Sequence, residues 1–302
     1  MAERRSARTT RHDDHYDDEL AAHEVADAGG NELADRDADL TAAQGPEPAR
    51  ELGQYGCYVY GIVPADVEPA GDVRGVGDPP GRIELVRHGD LVALVSEVDL
   101  TGTLGRPEDL RAHAKILDTT AVEVPVLPLR FGTVMATKDA VAGELLAVYR
   151  ETFAAALAEV EGRVQYVVKG RYVEQAMLAE ALTEIPEAAR LARLIRGKDP
   201  NATRHERIRL GEIIDKAIIA KRTADTRALG AVVTPCCVAS VVREPTHELD
   251  AVHAALLVEI SRQDELDQAL SNLASDWEGR VEIRLLGPHA PYDFTPTLLP
   301  PR

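Results

Sequence analysis

The sequence predicts an α+β protein of two domains, each an antiparallel-rich sheet with helices on one face. Three observations carry that expectation. Short β-branched runs alternate with amphipathic helical segments over residues 57–170. A charged helical stretch then leads to a second set of strands around one helix, residues 231–287. The 302-residue length suits two domains of ordinary size, about 100–150 residues each. The divisions drawn are 1–54 for an acidic tail, 55–170 for an N-terminal domain, and 171–302 for a helical segment with a C-terminal domain.

Residues 1–54 are polar, acidic and rich in Ala, Asp and Gly. Such a segment does not bury enough apolar area to offset its ordering entropy, so a disordered tail is expected. Its HDDHYDD run (12–18) holds metal-ligand residue types, but no second cluster or rigid frame accompanies it. The chain carries a net −17, and residues 1–50 hold 13 Asp/Glu and 6 Lys/Arg, hence 6 − 13 = −7. That acidity argues against a nucleic-acid or anionic-membrane surface and favours a soluble protein that resists self-association. Arg4 and Arg5 are followed by polar residues rather than an apolar stretch, so no export signal is expected. No apolar run reaches the roughly 18 residues of a membrane span.

Order is expected from Cys57. CYVYGIV (57–63) is short, β-branched and aromatic, and it stops at Pro64 as a buried strand does. The Gly/Pro-rich VRGVGDPPG loop lacks the helix that a phosphate cradle needs, since Asp78, Pro79 and Pro80 intervene. Residues 82–98 read as a hairpin around His88, Gly89 and Asp90. Pro107 opens a helix with Glu108 and Asp109 at its positive end, and Leu110, Ala114, Leu117, Ala121 and Val124 make its packing stripe. His113 lies beside that stripe and reads as a helix-flank residue.

VPVLPLRFGTV (124–134) is apolar but broken by Pro125 and Pro128, which places it at a sheet edge or at a bulged start of a strand. Arg130 either pins a carboxylate or carbonyl within the protein or meets a partner's acid, and Gly132 turns the backbone out of the strand. Leu127, Leu129, Arg130 and Phe131 are the candidate partner-binding residues. A single helix is expected over 138–161, with Val141, Leu145, Tyr149, Phe153, Ala156 and Val160 on one face and Gly162 as its stop. RVQYVVKG (163–170) alternates as an amphipathic strand.

From Tyr172 to about Leu229 the pattern is helical, with two short helices and a longer one over 200–229. AVVTPCCVASVV and AVHAALLVEI then read as strands, 264–277 as a helix and RVEIRLLG as a strand. The order α-β-β-α-β is that of a ferredoxin-like sheet covered on one face. PHAPYDF turns over at Pro288 and Pro291, with Tyr292 and Phe294 as rings that staple the tail to the body.

Catalysis needs nucleophile, base and orienting group together. Cys57, Cys236, Cys237, His113, His247 and His253 are the candidates, and none stands in a local signature. Cys236 and Cys237 are adjacent, without the two-residue spacer of a redox or zinc pair, and read as buried free thiols of a reducing cytoplasm. No metal, cofactor or catalytic residue is therefore expected.

Three segments together, CYVYGIV, VPVLPLRFGTV and GPHAPYDF, resemble the gas vesicle protein F/L (GvpF/GvpL) family, assembly proteins and minor shell components of gas vesicles. The resemblance runs over about 55–294 and is densest at the VLP-x-RFGT run (126–133) and the GP-x-x-PY-x-F ending (287–294). His289 stands where the family often has an aromatic. The resemblance implies a modified ferredoxin-like C-terminal domain, with Gly132, Gly287, Pro288, Pro291, Tyr292 and Phe294 as motif residues. It also implies a cytoplasmic location at gas vesicles, and the principal shell protein and other assembly proteins as partners. F and L proteins share these motifs. An enzyme or small-ligand binder on a ferredoxin-like scaffold is the alternative, and an adaptor recruited through the acidic tail is a third class.

Overall fold

The computed structural model describes residues 54–67 and 73–295. The expected tail, with its HDDHYDD run, lies outside the described residues apart from Gln54. The chain forms two compact units: one runs to Gln165 and resumes at Pro288, the other is Tyr166–Gly287. The C-terminal motif from Pro288 onward thus groups with the first unit, whereas the sequence division assigned it to the second.

The first unit is built on β1 (Tyr55–Pro64), β2 (Glu84–His88), β3 (Leu91–Asp99) and the two-residue strands β4 (Leu127–Pro128) and β5 (Val134–Met135). The sheet order is β2-β3-β1-β4, and β5 also pairs with β1. All the pairings are antiparallel. The hairpin forms as expected, with Arg87 paired to Val92 and His88 to Leu91. β1 pairs through Val59 with Val95 and through Gly61 with Leu94, so Tyr60 is an extra residue and β1 is bulged there.

The bulge keeps Cys57, Val59 and Ile62 on one core with Val86, Val95 and the helical residues Val141, Leu145, Phe153 and Leu157. Those helical residues come from a segment that the sequence reads as one helix over 138–161, and the structure divides it. After α2 (Lys138–Ala140) the chain runs as a π-helix over Val141–Leu146, then as α3 (Arg150–Val160). Ala147 N donates to Ala142 O, five residues back, at 3.0 Å. The extra residue per turn lets Val141, Leu145 and Leu146 all reach the core. Tyr149 departs from helical geometry at φ −104°, ψ 18°, and α3 begins after it.

α1 (Pro107–Glu123) covers the other face of β1. His113 of α1 stands against Tyr58 and Tyr60, so β1 is covered on both faces and its residues 56–63 are all buried. The α+β class holds, and β1 is the strand where helices lie on two sides.

The second unit contains most of β6 (Arg163–Tyr172), then α4 (Glu174–Glu184), α5 (Pro186–Ile195), α6 (Arg204–Val233), β7 (Ala239–Val242), β8 (Asp250–Glu259), α7 (Gln263–Asp276) and most of β9 (Val281–His289). The sheet order β7-β8-β6-β9 on a β-α-β-β-α-β chain order is the ferredoxin-like arrangement, with three helices in place of the first. β6 is the first strand of that sheet and not the last of the preceding one. Its residues 164–168 are all buried, so Gln165 and Val167 are covered as well as Val164 and Tyr166. A Cβ at Gly170 would stand 2.6 Å from Val252 and 3.2 Å from Val281, a measure of that crowding.

AVVTPCC is not a strand. α6 continues through Val233 before a turn, and β7 holds only Ala239–Val242. The β-branched pair Val232 and Val233 is outweighed by the continuing register of a helix whose Leu229 and Val233 are buried one turn apart. α6 is anchored by Asp225, which accepts two bonds from Arg280 at 2.8 Å each and one from the Tyr172 hydroxyl at 2.6 Å. Arg280 also lies over the Trp277 ring at 5.3 Å.

Candidate functional site

The run read as partner-binding is the edge of the first sheet, and its register explains its shape. Leu129 N donates to Tyr60 O at 2.8 Å, while Val59 N donates to Thr133 O at 2.9 Å. Neighbouring residues of β1 therefore bond to residues four apart, and Arg130, Phe131 and Gly132 are extruded between them. The Leu129 bond also fixes the parity of β4. Leu127 and Leu129 turn their backbone groups toward β1, and Pro128, which is buried, has no N–H to offer on the far side of β4. Short strands, a proline and an extruded turn are the devices that keep a sheet edge from pairing at random.

The side chains divide accordingly. Leu127 and Leu129 are 2% and 8% exposed and belong to the core with Phe153 and Leu157. As partner contacts these two leucines are corrected by the structure: in β4 and just after it they pack into the core with the helical residues. Arg130 is exposed, and among the described residues its guanidinium has no hydrogen bond or ion pair, so it pins no internal carboxylate. Phe131 is half-buried. Gly132 takes φ +84°, a left-handed conformation that closes the extruded turn, and Thr133 Oγ1 donates to Arg130 O at 2.7 Å across it.

Beneath this turn lies a buried polar and aromatic centre. Phe131 meets His113 edge-on at 5.5 Å and Tyr58 at 6.0 Å, and Tyr60 stacks on His113 at 5.7 Å. The Gly132 N–H donates to Tyr58 Oη at 3.1 Å, and Tyr58 Oη lies 2.9 Å from His113 Nδ1. Tyr60 Oη lies 2.8 Å from Ser96 Oγ and accepts from Val76 N at 2.8 Å. Desolvation pushes His113 down to about 4, opposed only by the Leu129 backbone, and pushes both tyrosines up. Close packing brings the elements together: a Cβ on Gly61 would stand 2.8 Å from both Leu117 and the Leu127 carbonyl.

Asp109 ties the 73–81 loop to the same helix. It accepts from Gly77 N at 2.9 Å, Arg106 N at 3.0 Å and Gly105 N at 3.2 Å. Burial alone would raise its pKa, but these donors and the Arg106 guanidinium hold it below the ordinary carboxylate value. The sequence showed Asp109 only as a charge favourable to a helix N-terminus; its acceptor role depends on a loop about thirty residues earlier.

The C-terminal motif docks on α1 as well. Asp118 accepts from Ala290 N at 2.8 Å and lies 2.9 Å from His289 Nδ1. Asp293 N donates to Gln165 Oε1 at 2.9 Å. Gly287 (φ +126°) and Pro288 still lie within β9, so the chain turns after His289 and not at Pro288. A proline is tolerated there because β9 is an edge strand. Pro291 is buried, while the Tyr292 and Phe294 rings are half-buried in a short 3₁₀ turn. His113 and Asp118 thus place the two motifs on one helix.

The reactive candidates do not converge. Cys57 is buried and pushed up to about 11 by desolvation, Cys236 is buried, and Cys237 is half-buried with its thiol pushed up by desolvation. Cys236 and Cys237 sit in the turn after α6. His253 Nδ1 lies 2.9 Å from Glu244 O, and His247 Nδ1 accepts from Leu249 N at 3.1 Å, both within their own hairpin. Among the described residues no group of three His, Cys, Asp or Glu is placed to hold a metal, and no helix is long and apolar enough to cross a membrane.

Fold and site together define a two-unit α+β protein whose sequence motifs build a buried joint beneath an exposed edge turn. The match to the family of gas vesicle synthesis protein GvpL/GvpF extends over residues 56–296, and the chain belongs to that family. Gas vesicle protein F of Streptomyces sp. (strain CB03234) is 30% identical over 252 residues, covering 78% of this chain and 98% of that protein. Gas vesicle protein F of Microcystis aeruginosa (strain PCC 7806) is 24% identical, over 79% of this chain and 97% of the relative. The crystal structure of GvpF from Anabaena sp. PCC7120 superposes with a TM-score of 0.65 at 23% identity, over 79% of this chain and 97% of that one. That of GvpF from Microcystis aeruginosa gives 0.64.

Proposed function

We propose that the chain is a non-enzymatic gas vesicle assembly protein and minor vesicle component that binds the principal apolar shell protein and other assembly proteins in the cytoplasm. The observation that carries this reading is the family match over residues 56–296. A shell subunit that polymerises through apolar faces and unpaired edges is an aggregation hazard before it is incorporated. A soluble chain of net −17 can cover such a subunit and keep the complex dispersed.

The contact surface of this reading is the extruded turn. Arg130 offers a guanidinium with no partner among the described residues beside the half-buried Phe131, and Leu127 and Leu129 hold the turn from below. Pro128 limits strand addition at β4, so the contact runs through side chains more than through a backbone ladder. The test is co-expression of the tagged full-length chain with the principal shell protein, followed by native affinity purification. Soluble shell protein in the eluate, reduced several-fold by Arg130→Glu, is the expected result. Shell protein that stays insoluble and unbound beside well-folded chain overturns direct binding.

A further inference from the structure

Residues 190–209 are an exception to the acidic balance of the chain. They hold seven Lys/Arg against two Asp/Glu, hence 7 − 2 = +5 in a protein of net −17. These residues form the end of α5, the connecting loop and the start of α6. The two helices pack through Ala188, Leu191 and Ile213, which leaves the charged positions facing outward. Arg190, Arg193, Arg196, Lys198 and Arg204 are exposed, and among the described residues their side chains have no hydrogen bond or ion pair. Arg209 shows the contrast, since Glu187 and Glu212 hold it at 3.2 Å each. Leu194 and Ile208 are exposed in the same segment, at 39% and 52%.

A stretch of complementary chemistry lies in the same sequence. Residues 13–39 hold eleven Asp/Glu against one Arg, hence 1 − 11 = −10, with Leu20, Val25 and Leu33 spaced between the acids. Residues 40–53 connect it to the first described residue, a linker of 14 residues that spans about 48 Å when extended. Arginine predominates at the basic end, and its planar fork suits carboxylates held in pairs.

We propose that the α5–α6 basic end is a docking site for the acidic segment 13–39 of this chain, through carboxylate–guanidinium pairs around Leu194 and Ile208. Docking neutralises a cluster of like charges and covers two exposed aliphatic residues. It also keeps the basic end from other anionic partners until salt or a competing acidic protein displaces the segment.

Carbodiimide coupling of the full-length chain tests this, because it joins carboxylates only to amines that touch them. Lys198 is one of six lysines and the one within the basic end. The expected result is an amide between Lys198 and an acid of 13–39, found by mass spectrometry. Its yield should fall several-fold at 0.5 M salt and in an Arg193→Glu/Arg204→Glu variant of unchanged circular dichroism. A mixture of isotopically light and heavy chains tells whether the segment comes from the same copy. Coupling of Lys198 only to Asp199 or Glu206 overturns the proposal, as does equal coupling of segment 13–39 to all six lysines. Retention on anionic lipid vesicles with unselective coupling overturns it in favour of a membrane surface.

Discussion

Tyr58 Oη lies 2.9 Å from His113 Nδ1 in a site closed to solvent, and this contact joins the opening strand to α1. The Gly132 N–H donates to Tyr58 Oη, and His113 Nδ1 is the one acceptor within reach of the phenol proton among the described residues, so the phenol donates to Nδ1. The imidazole proton is then on Nε2, which is buried beside the Leu129 backbone but makes no hydrogen bond of good geometry among the described residues. His113 is therefore held neutral by burial and by the tyrosine that occupies its acceptor nitrogen.

Stability should depend on this histidine in mildly acid solution. The unfolded chain takes up a proton near the ordinary pKa of 6.5, whereas the folded chain does so only near about 4. The unfolded state binds more protons between these values, so stability is full above pH 6.5 and falls as pH drops through the window. The loss is about 2 kcal/mol at pH 5 and about 3 kcal/mol at pH 4. Urea unfolding at pH 7.5 and 5.0 measures it. A His113→Phe variant should be less stable than the parent at pH 7.5 yet change less between the two pH values, and an equally steep pH response in both would sink the assignment.

The leucines and the arginine of the edge run should behave oppositely. Leu127→Asp or Leu129→Asp buries a carboxylate in the core of the first unit and should cost about 4 kcal/mol or more, read as loss of soluble protein. Arg130→Glu alters an exposed side chain without a partner among the described residues, so its stability should stay within about 0.5 kcal/mol of the parent. Soluble, stable Leu127→Asp protein would return that residue to the surface.

Much of this was legible in the chain. Periodicity and turn residues located β1, the hairpin, α1 and the helices of the second unit, because each signal is local. The proline pair placed residues 124–134 at an edge for the same reason. Features that depend on distant register were not legible. Nothing in the local pattern says that Tyr60 is bulged, that Leu127 and Leu129 face inward, or that β6 opens the second sheet. α6 overran its expected end because a buried helical face outweighs β-branched composition at Val232 and Val233. The role of His113 depends on Tyr58, 55 positions earlier, and on Phe131, which folds back over it only because three residues are extruded.

In the second unit, Asp225 is the residue whose removal should be most costly. Asp225→Ala leaves the partly buried Arg280 guanidinium and the Tyr172 hydroxyl without their shared acceptor. Removing one partner of such a pair typically costs about 3–5 kcal/mol. The measurement is chemical unfolding of the full chain, paired with Arg280→Met/Asp225→Leu, which removes both charges and should recover at least half of the loss. Additive losses in the double variant would show that the bidentate pair is not the coupled unit that the geometry describes.

Tyr292 separates the contribution of the C-terminal ring from that of its hydroxyl. The hydroxyl oxygen is buried and has no hydrogen-bond partner among the described residues. Desolvation, with Asp118 nearby, pushes its pKa well above the ordinary tyrosine value, so it stays protonated and neutral. An unpaired buried hydroxyl costs about 1–3 kcal/mol of desolvation, which phenylalanine does not incur. Tyr292→Phe should therefore be neutral or stabilising by up to about 1 kcal/mol. Tyr292→Ala removes the ring and should cost about 3 kcal/mol, with earlier proteolytic cleavage of the residues that Asp118 and Gln165 hold. Thermal unfolding and limited digestion with proteinase K, which needs no Lys or Arg in a segment that has none between Arg284 and Arg302, decide the matter for the three proteins. If Tyr292→Phe is destabilised as much as Tyr292→Ala, the hydroxyl is bonded in solution and the motif tyrosine acts through its oxygen.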